Sequence, residues 1–223
     1  MKWSNILKIW QKYDVVFLRG LGGTLWISAV VLLLGCVLGL FVSLTRMSKF
    51  KPIRWLGDLY VEILRGTPVL LQLYSFWIGL PKLLPALELS DTQCILVALI
   101  INASAYISEI FRAGIDAVDF GQFEAARSLG MTESHLMAKI ILPQAIKNIL
   151  PALGNEFIST IKGTSLASVF FIGELMTAQK TIQSATFLAL ESLTIAGIIY
   201  FILSVGLSKL LAVLERRLRA SDR

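Results

Sequence analysis

Polar and charged side chains set inside long apolar runs are the places where this chain could do chemistry. Within residues 92–110, Asn102, Tyr106 and Glu109 recur at i, i+4 and i+7, one face of a helix, and Arg112 follows. Within residues 152–178, Asn155, Ser159 and Lys162 repeat that spacing and lead directly into Gly163, Thr164 and Ser165. A bilayer penalises such groups, so two polar stripes on apolar helices point to a path for a polar solute. For each residue taken singly the alternative is an interhelical hydrogen bond or a structural ion pair. Glu109 and Arg112, for example, have the spacing of a local i, i+3 pair. No nucleophile–base constellation accompanies the stripes. His135 is the sole histidine, which excludes a histidine triad or metal cluster. There is also no glycine-rich loop ending in Lys-Ser or Lys-Thr to hold a nucleotide.

A second stretch carries charge at regular intervals and differs in kind. Over residues 121–151, Glu124, Arg127, Glu133, His135, Lys139 and Lys147 alternate with Phe123, Leu129, Met131, Leu136, Ile140, Ile141 and Leu142. Helical spacing of apolar residues with charges between them describes helices lying against something rather than spans. Gly130 permits a turn, Thr132 is placed to cap a second helix, and Pro143 is expected to end or kink it. On periodicity alone this is a docking element or a solvated connector.

Spacing separates those two readings. Glu124-Ala125-Ala126, three residues, Gly130, nine residues, then Ile140-x-Leu142-Pro143 resembles the EAA loop of bacterial ABC importer permeases. Further stretches resemble the polar amino acid branch of that family: Arg65-Gly66-Thr67-Pro68 with Gln72 and Gly79-Leu80-Pro81, the run from Ala105 to Ile115, and Lys162-Gly163-Thr164-Ser165-Leu166. The resemblance covers roughly residues 20–174. It implies that the loop is cytoplasmic and that its coupling helix seats in a groove of a separate ABC ATP-binding subunit, with Glu124, Ala125, Ala126 and Gly130 as docking residues. It also implies two permease chains (this one twice, or this one and a paralogue) over a dimer of ATPases. An extracytoplasmic solute-binding protein would deliver the amino acid. ATP and Mg would be bound by the ATPase, so no cofactor is expected in this chain. The resemblance moves Glu109 towards the translocation path. The other reading, a stand-alone channel or ion-coupled secondary transporter, has no use for such a docking loop.

Composition sets the elements that must position these residues. Hydrophobic residues make up 56% of the 223 and mean hydropathy is +0.73, which argues for an integral membrane protein. The net charge of +6 is gathered beside apolar runs, as cytoplasmic loops require, and forms no nucleic-acid surface. Cys36 and Cys94 read as buried hydrophobes. No cleavable signal precedes the first span.

The expected fold is an all-α integral membrane protein with five transmembrane helices, an N-terminal interfacial helix and a cytoplasmic coupling helix. Residues 1–14 form the amphipathic interfacial segment, 15–215 one permease domain, and 216–223 a basic cytoplasmic tail. The spans fall at 21–44, 69–80 (short, aided by the helix before it), 92–110, 152–178 and 187–211, with a polar external turn at 177–186. Five crossings, with basic connectors at 46–54 and at the C-terminus, put the N-terminus outside and the C-terminus in the cytoplasm. The resemblance places all this in the bacterial inner membrane. In that family many members carry an Asp where this chain has Gly163. That departure leads us to expect neutral or acidic amino acids as substrates, with Glu109 as the counter-charge to Lys162.

Overall fold

A computed structural model of the chain describes residues 2–220; Met1 and residues 221–223 lie outside the described residues. The first element, α1, is one unbroken helix from Trp3 to Arg46. Its 44 residues rise about 66 Å, more than twice the roughly 30 Å of a hydrocarbon core. The N-terminal segment is therefore no separate helix but the first turns of the helix that carries the first span. Ile6 and Ile9 pack with Leu175, Ile182 and Ile195, while Trp3 and Leu7 stay exposed on the other side.

Two shorter helices follow, α2 (Lys51–Gly66) and α3 (Val69–Leu83). Between them Thr67 is extended, because the ring of Pro68 disfavours helical geometry at the residue before it. Helix α4 (Asp91–Asp116) opens on a capping box in which Ser90 and Gln93 satisfy each other's backbone amides, with Asp91 favourably placed in the first turn. It packs along α1 where Gly35 and Gly39 face Ala103, Ser104 and Ile107. A Cβ on Gly39 would sit 3.0 Å from the Ser104 carbonyl oxygen, so any side chain there would push the two helices apart by a few tenths of an ångström. The largest core gathers here, with Ile27 and Val31 of α1, Leu73 of α3, and Ile95, Leu99 and Ile107 of α4.

The docking stretch folds as α5 (Phe120–Ser128), a turn through Gly130 at φ +74°, and α6 (Glu133–Leu136) capped by Thr132. The helix does not end at Pro143, one of the two outcomes expected there. Residues Met137–Ile141 widen into a π-helical turn and the chain continues as α7 (Leu142–Gly163). Proline lacks the donor an α-helical turn needs, and the helix absorbs Pro143 at its start instead of stopping.

The expected span at 152–178 is also corrected. Helix α7 stops at Gly163, a 3-10 segment runs Thr164–Phe170, and Phe171 adopts a left-handed conformation at φ 54°. The chain then turns into α8 (Leu175–Thr186), which replaces the polar turn expected at 177–186. Glu174 caps α8 by accepting from the amides of Met176 and Thr177 at 2.7 and 2.6 Å, and accepts from the Tyr200 hydroxyl at 3.0 Å. Last comes α9 (Ala189–Ala220), so the described part of the basic tail is the end of a helix.

Among the described residues, four helical stretches are long and apolar enough to cross a membrane: Trp3–Arg46, Asp91–Asp116, Glu133–Phe170 and Ala189–Arg217. The fifth expected span, α3, has 15 residues and rises about 22 Å, short of the hydrocarbon thickness.

Candidate functional site

The stripe on α4 is used in two places. Its upper part lines a cavity of about 220 Å³ together with α7: Asn102 and Tyr106 on one wall, Glu156, Ser159, Thr160 and Gly163 on the other. Val31, Val69, Leu99, Ala103 and Leu166 complete it with apolar surface. Gln72 of α3, buried, holds the Asn102 wall in place. Its Oε1 accepts from Asn102 Nδ2 at 2.9 Å, and its Nε2 donates to the Leu64 carbonyl and the Thr67 hydroxyl, both at 2.8 Å. One glutamine thus satisfies a carbonyl left over at the end of α2 and anchors a side chain of the cavity.

One turn further along α4, Glu109 belongs to an ion cluster. Its carboxylate lies 3.0 Å from Arg46 of α1, Arg65 of α2 and Arg112 of its own helix. Arg46 also donates to Asp58 at 2.8 Å, and Arg112 to Asp116 at 2.9 Å. The Arg46–Glu109 approach is a charge contact without hydrogen-bond alignment. Glu109 is therefore no counter-charge for Lys162, which is exposed and lines neither this cluster nor the cavity.

The rest of the α7 stripe divides likewise. Asn155 is exposed and donates to the Pro151 carbonyl at 3.2 Å. Thr164 and Ser165 turn their hydroxyls back onto the carbonyls of Ile161 and Lys162 at 2.8 and 2.7 Å, finishing α7 instead of facing the cavity. Of the residues expected along a path, Asn102, Tyr106, Ser159 and Gly163 line this cavity together; Glu109, Arg112, Asn155, Lys162, Thr164 and Ser165 do not. Glu156 and Thr160 are cavity residues missing from the expected set. Their signal is present in the sequence: Glu156, Ser159, Thr160 and Gly163 stand at i, i+3, i+4 and i+7.

In the docking element Glu124 and Ala125 are exposed, whereas Ala126 is buried against this chain's own Leu136, Ile141 and Ala145. Ala126 therefore shapes the element from inside and offers nothing to a groove. Phe120 and Leu129, at 66% and 83% exposure, are the large apolar surfaces that α5 presents. Across the Gly130 turn, Arg127 grips Glu133 with two bonds of 2.8 and 3.2 Å. That fork holds the Glu133 carboxyl below its usual range. Ionisable groups facing the element from the α1–α2 connector include Lys49, which lowers it further.

Residues 22–220 match the family described as binding-protein-dependent transport system inner membrane component. The chain belongs to that family. It is 42% identical over 205 residues to the arginine transport system permease protein ArtQ of Bacillus subtilis (strain 168), covering 92% of this chain and 93% of that one. It is 40% identical over 217 residues to the probable glutamine ABC transporter permease protein GlnM of the same organism, covering 97% and 99%. Among solved structures it superimposes on one titled as an amino acid ABC transporter with histidines, at a TM-score of 0.88 and 45% identity, covering 92% of this chain and 95% of that. The methionine transporter MetNI, at 19% identity and a TM-score of 0.76, shares the fold.

Proposed function

We propose that this chain is the membrane-spanning permease subunit of an ATP-driven importer for amino acids, and that the cavity between α4 and α7 holds the amino acid in transit. The observation that carries this is the polar lining that Asn102, Tyr106, Glu156, Ser159 and Thr160 give to a cavity between two membrane-crossing helices, beside the largest apolar core. Relatives named for arginine and for glutamine transport support the same class of solute. The working assembly pairs two permease chains over two ABC ATP-binding subunits, which bind ATP and Mg, and receives substrate from an extracytoplasmic solute-binding protein. The exposed Glu124, Ala125, Phe120 and Leu129, set by the Gly130 turn, dock the ATPase. The chain lies in the bacterial inner membrane with its N-terminus outside and C-terminus inside, and α3 with the end of α2 makes the fifth crossing.

The cavity revises the expected substrate. Glu156 supplies a carboxylate to the lining, and no Lys, Arg or His is in it. An ammonium group is matched there, and a second carboxylate is opposed. Neutral or basic amino acids, rather than acidic ones, fit this lining. The test is uptake competition in proteoliposomes holding the full complex: glutamine and arginine should compete, and glutamate should be the weakest. Glu156→Gln should narrow the difference. Glutamate competing as well as glutamine, unchanged by Glu156→Gln, would reject this reading of the cavity.

A further inference from the structure

Tyr106 lines two neighbouring cavities. On one side is the polar cavity of Asn102 and Glu156. On the other is a larger vestibule of about 520 Å³, lined by Arg46, Asp58, Val61, Glu62, Arg65, Gly66 and Glu109. The vestibule opens at the end of the bundle from which the docking element projects, since Glu109 lies two turns before the end of α4 and α5 begins at Phe120. Arg65 lies over the Tyr106 ring, its guanidinium carbon 5.6 Å from the ring centre, and the same guanidinium meets Glu109 at 3.0 Å.

We propose that Arg65, held by Glu109 and laid across Tyr106, closes the substrate cavity towards the vestibule, and that the amino acid leaves through the vestibule when this contact parts. The inference rests on the reading of the cavity as the substrate site. Three features make the contact a barrier that can open. Arg65 stands in the last turn of α2 on a long side chain with many rotamers, so it can swing off Tyr106 while the bonds from Gln72 to Leu64 and Thr67 keep the backbone at the end of α2 in place. Glu109 keeps Arg46 and Arg112 when Arg65 leaves, so opening does not strand a bare carboxylate. Arg65 is itself half-exposed to the vestibule, so its charge stays solvated in either position. Arg46, by contrast, is nearly enclosed and doubly held by Asp58 and Glu109, and forms the fixed wall.

The test reads access rather than transport. Thr160→Cys is placed in the cavity on a Cys36→Ala, Cys94→Ala background, in the assembled complex with its ATPase and binding protein. Its reaction with a membrane-impermeant thiol reagent is timed in inside-out and right-side-out vesicles. With Arg65 present, modification from the docking-element side should be slow. Arg65→Ala and Glu109→Gln should each accelerate it about tenfold from that side only, Arg65→Lys should restore part of the protection, and Arg112→Gln should leave the rate unchanged. Equal rates in all variants would overturn the proposal. So would acceleration from both sides, or an Arg112→Gln effect as large as that of Arg65→Ala, since each marks general loosening. No amino acid is needed for this readout, so its failure is distinguishable from failure of the substrate assignment, which the competition assay judges.

Discussion

Replacing Gln72 by Leu is the sharpest perturbation of the cavity wall. Gln72 bonds the Leu64 carbonyl, the Thr67 hydroxyl and the Asn102 amide at 2.8, 2.8 and 2.9 Å. Leucine fills a similar volume and makes none of these bonds. The Thr67 hydroxyl keeps its bond to the Ile63 carbonyl at 2.8 Å and the Thr67 carbonyl loses only a long 3.2 Å bond, so two groups lose a short partner, the Leu64 carbonyl and the Asn102 amide. Each costs about 1–3 kcal/mol when left unpaired in the interior, so Gln72→Leu should destabilise by about 2–6 kcal/mol. The lower part of that range applies if Asn102 turns its amide into the cavity and finds water there. For a chain of this size the loss corresponds to a fall in Tm of at least about 4 °C, read by thermal unfolding of the purified complex in detergent. Because the stranded amide and Gln72 are partners, Gln72→Leu with Asn102→Leu should cost less than the two single changes summed, by about 1 kcal/mol. A loss below about 1 kcal/mol for the single variant, or strict additivity in the double, would refute the bonding scheme.

The remaining predictions concern coupling and topology. Gly130 sits at φ +74° with open space where a Cβ would go, so the cost of substitution there is backbone strain and not a clash. Gly130→Asn should retain ATPase co-purification, whereas Gly130→Val should weaken it, losing about 1–2 kcal/mol of the turn; equal behaviour of the two would count against the turn's role. Glu124→Lys should weaken ATPase association while the permease still inserts, and unchanged co-purification would count against docking through this face. Glu133 has its carboxyl lowered by Arg127, so the fork is fully formed above the ordinary carboxylate range and opens only as pH falls through the lowered value. An NMR titration of the Glu133 carboxyl should therefore show no transition near neutrality, and Arg127→Glu with Glu133→Arg should recover coupling lost in either single variant. Impermeant cysteine labelling of intact spheroplasts should reach position 86 and not position 132; the reverse would invert the proposed topology.

Local signals in the sequence translated directly into local structure. The Gly130 turn, the Thr132 cap and the helix break before Pro68 each depend on a few adjacent residues, and each is found where those residues stand. Errors arose where a local signal had two outcomes. Pro143 can end a helix or be absorbed at the start of one, and a π-helical turn beside it decided for the second. The tryptophans and lysines of the first 13 residues suit an interfacial helix. What fixes them to the first span is the packing of Ile6 and Ile9 on Leu175 and Ile195, far away in the chain. The polar stretch at 177–186 reads as a turn until Glu174 is seen to cap it and Tyr200 to hold the cap.

The site follows the same logic one level up. Helical spacing correctly put Asn102, Tyr106 and Glu109 on one face, yet a face says nothing of what it meets along its length. Gln72 of α3 meets Asn102, whereas Arg46 and Arg65, from α1 and α2, meet Glu109 one helix turn past Tyr106. The difference between a cavity wall and an ion cluster is thus made by residues 30 to 63 positions away from those they contact. On α7, residues 155, 159 and 162 form one stripe and 156, 160 and 163 the adjacent one, offset by about 100°, with Ser159 on the border that still reaches the cavity. The pattern alone does not choose between them; packing against α4 does, and it brings Glu156 inward while leaving Lys162 outside. That rotation reverses the electrostatic argument about the substrate. A stripe led by Lys162 invites carboxylates, whereas a stripe led by Glu156 opposes them and matches an ammonium.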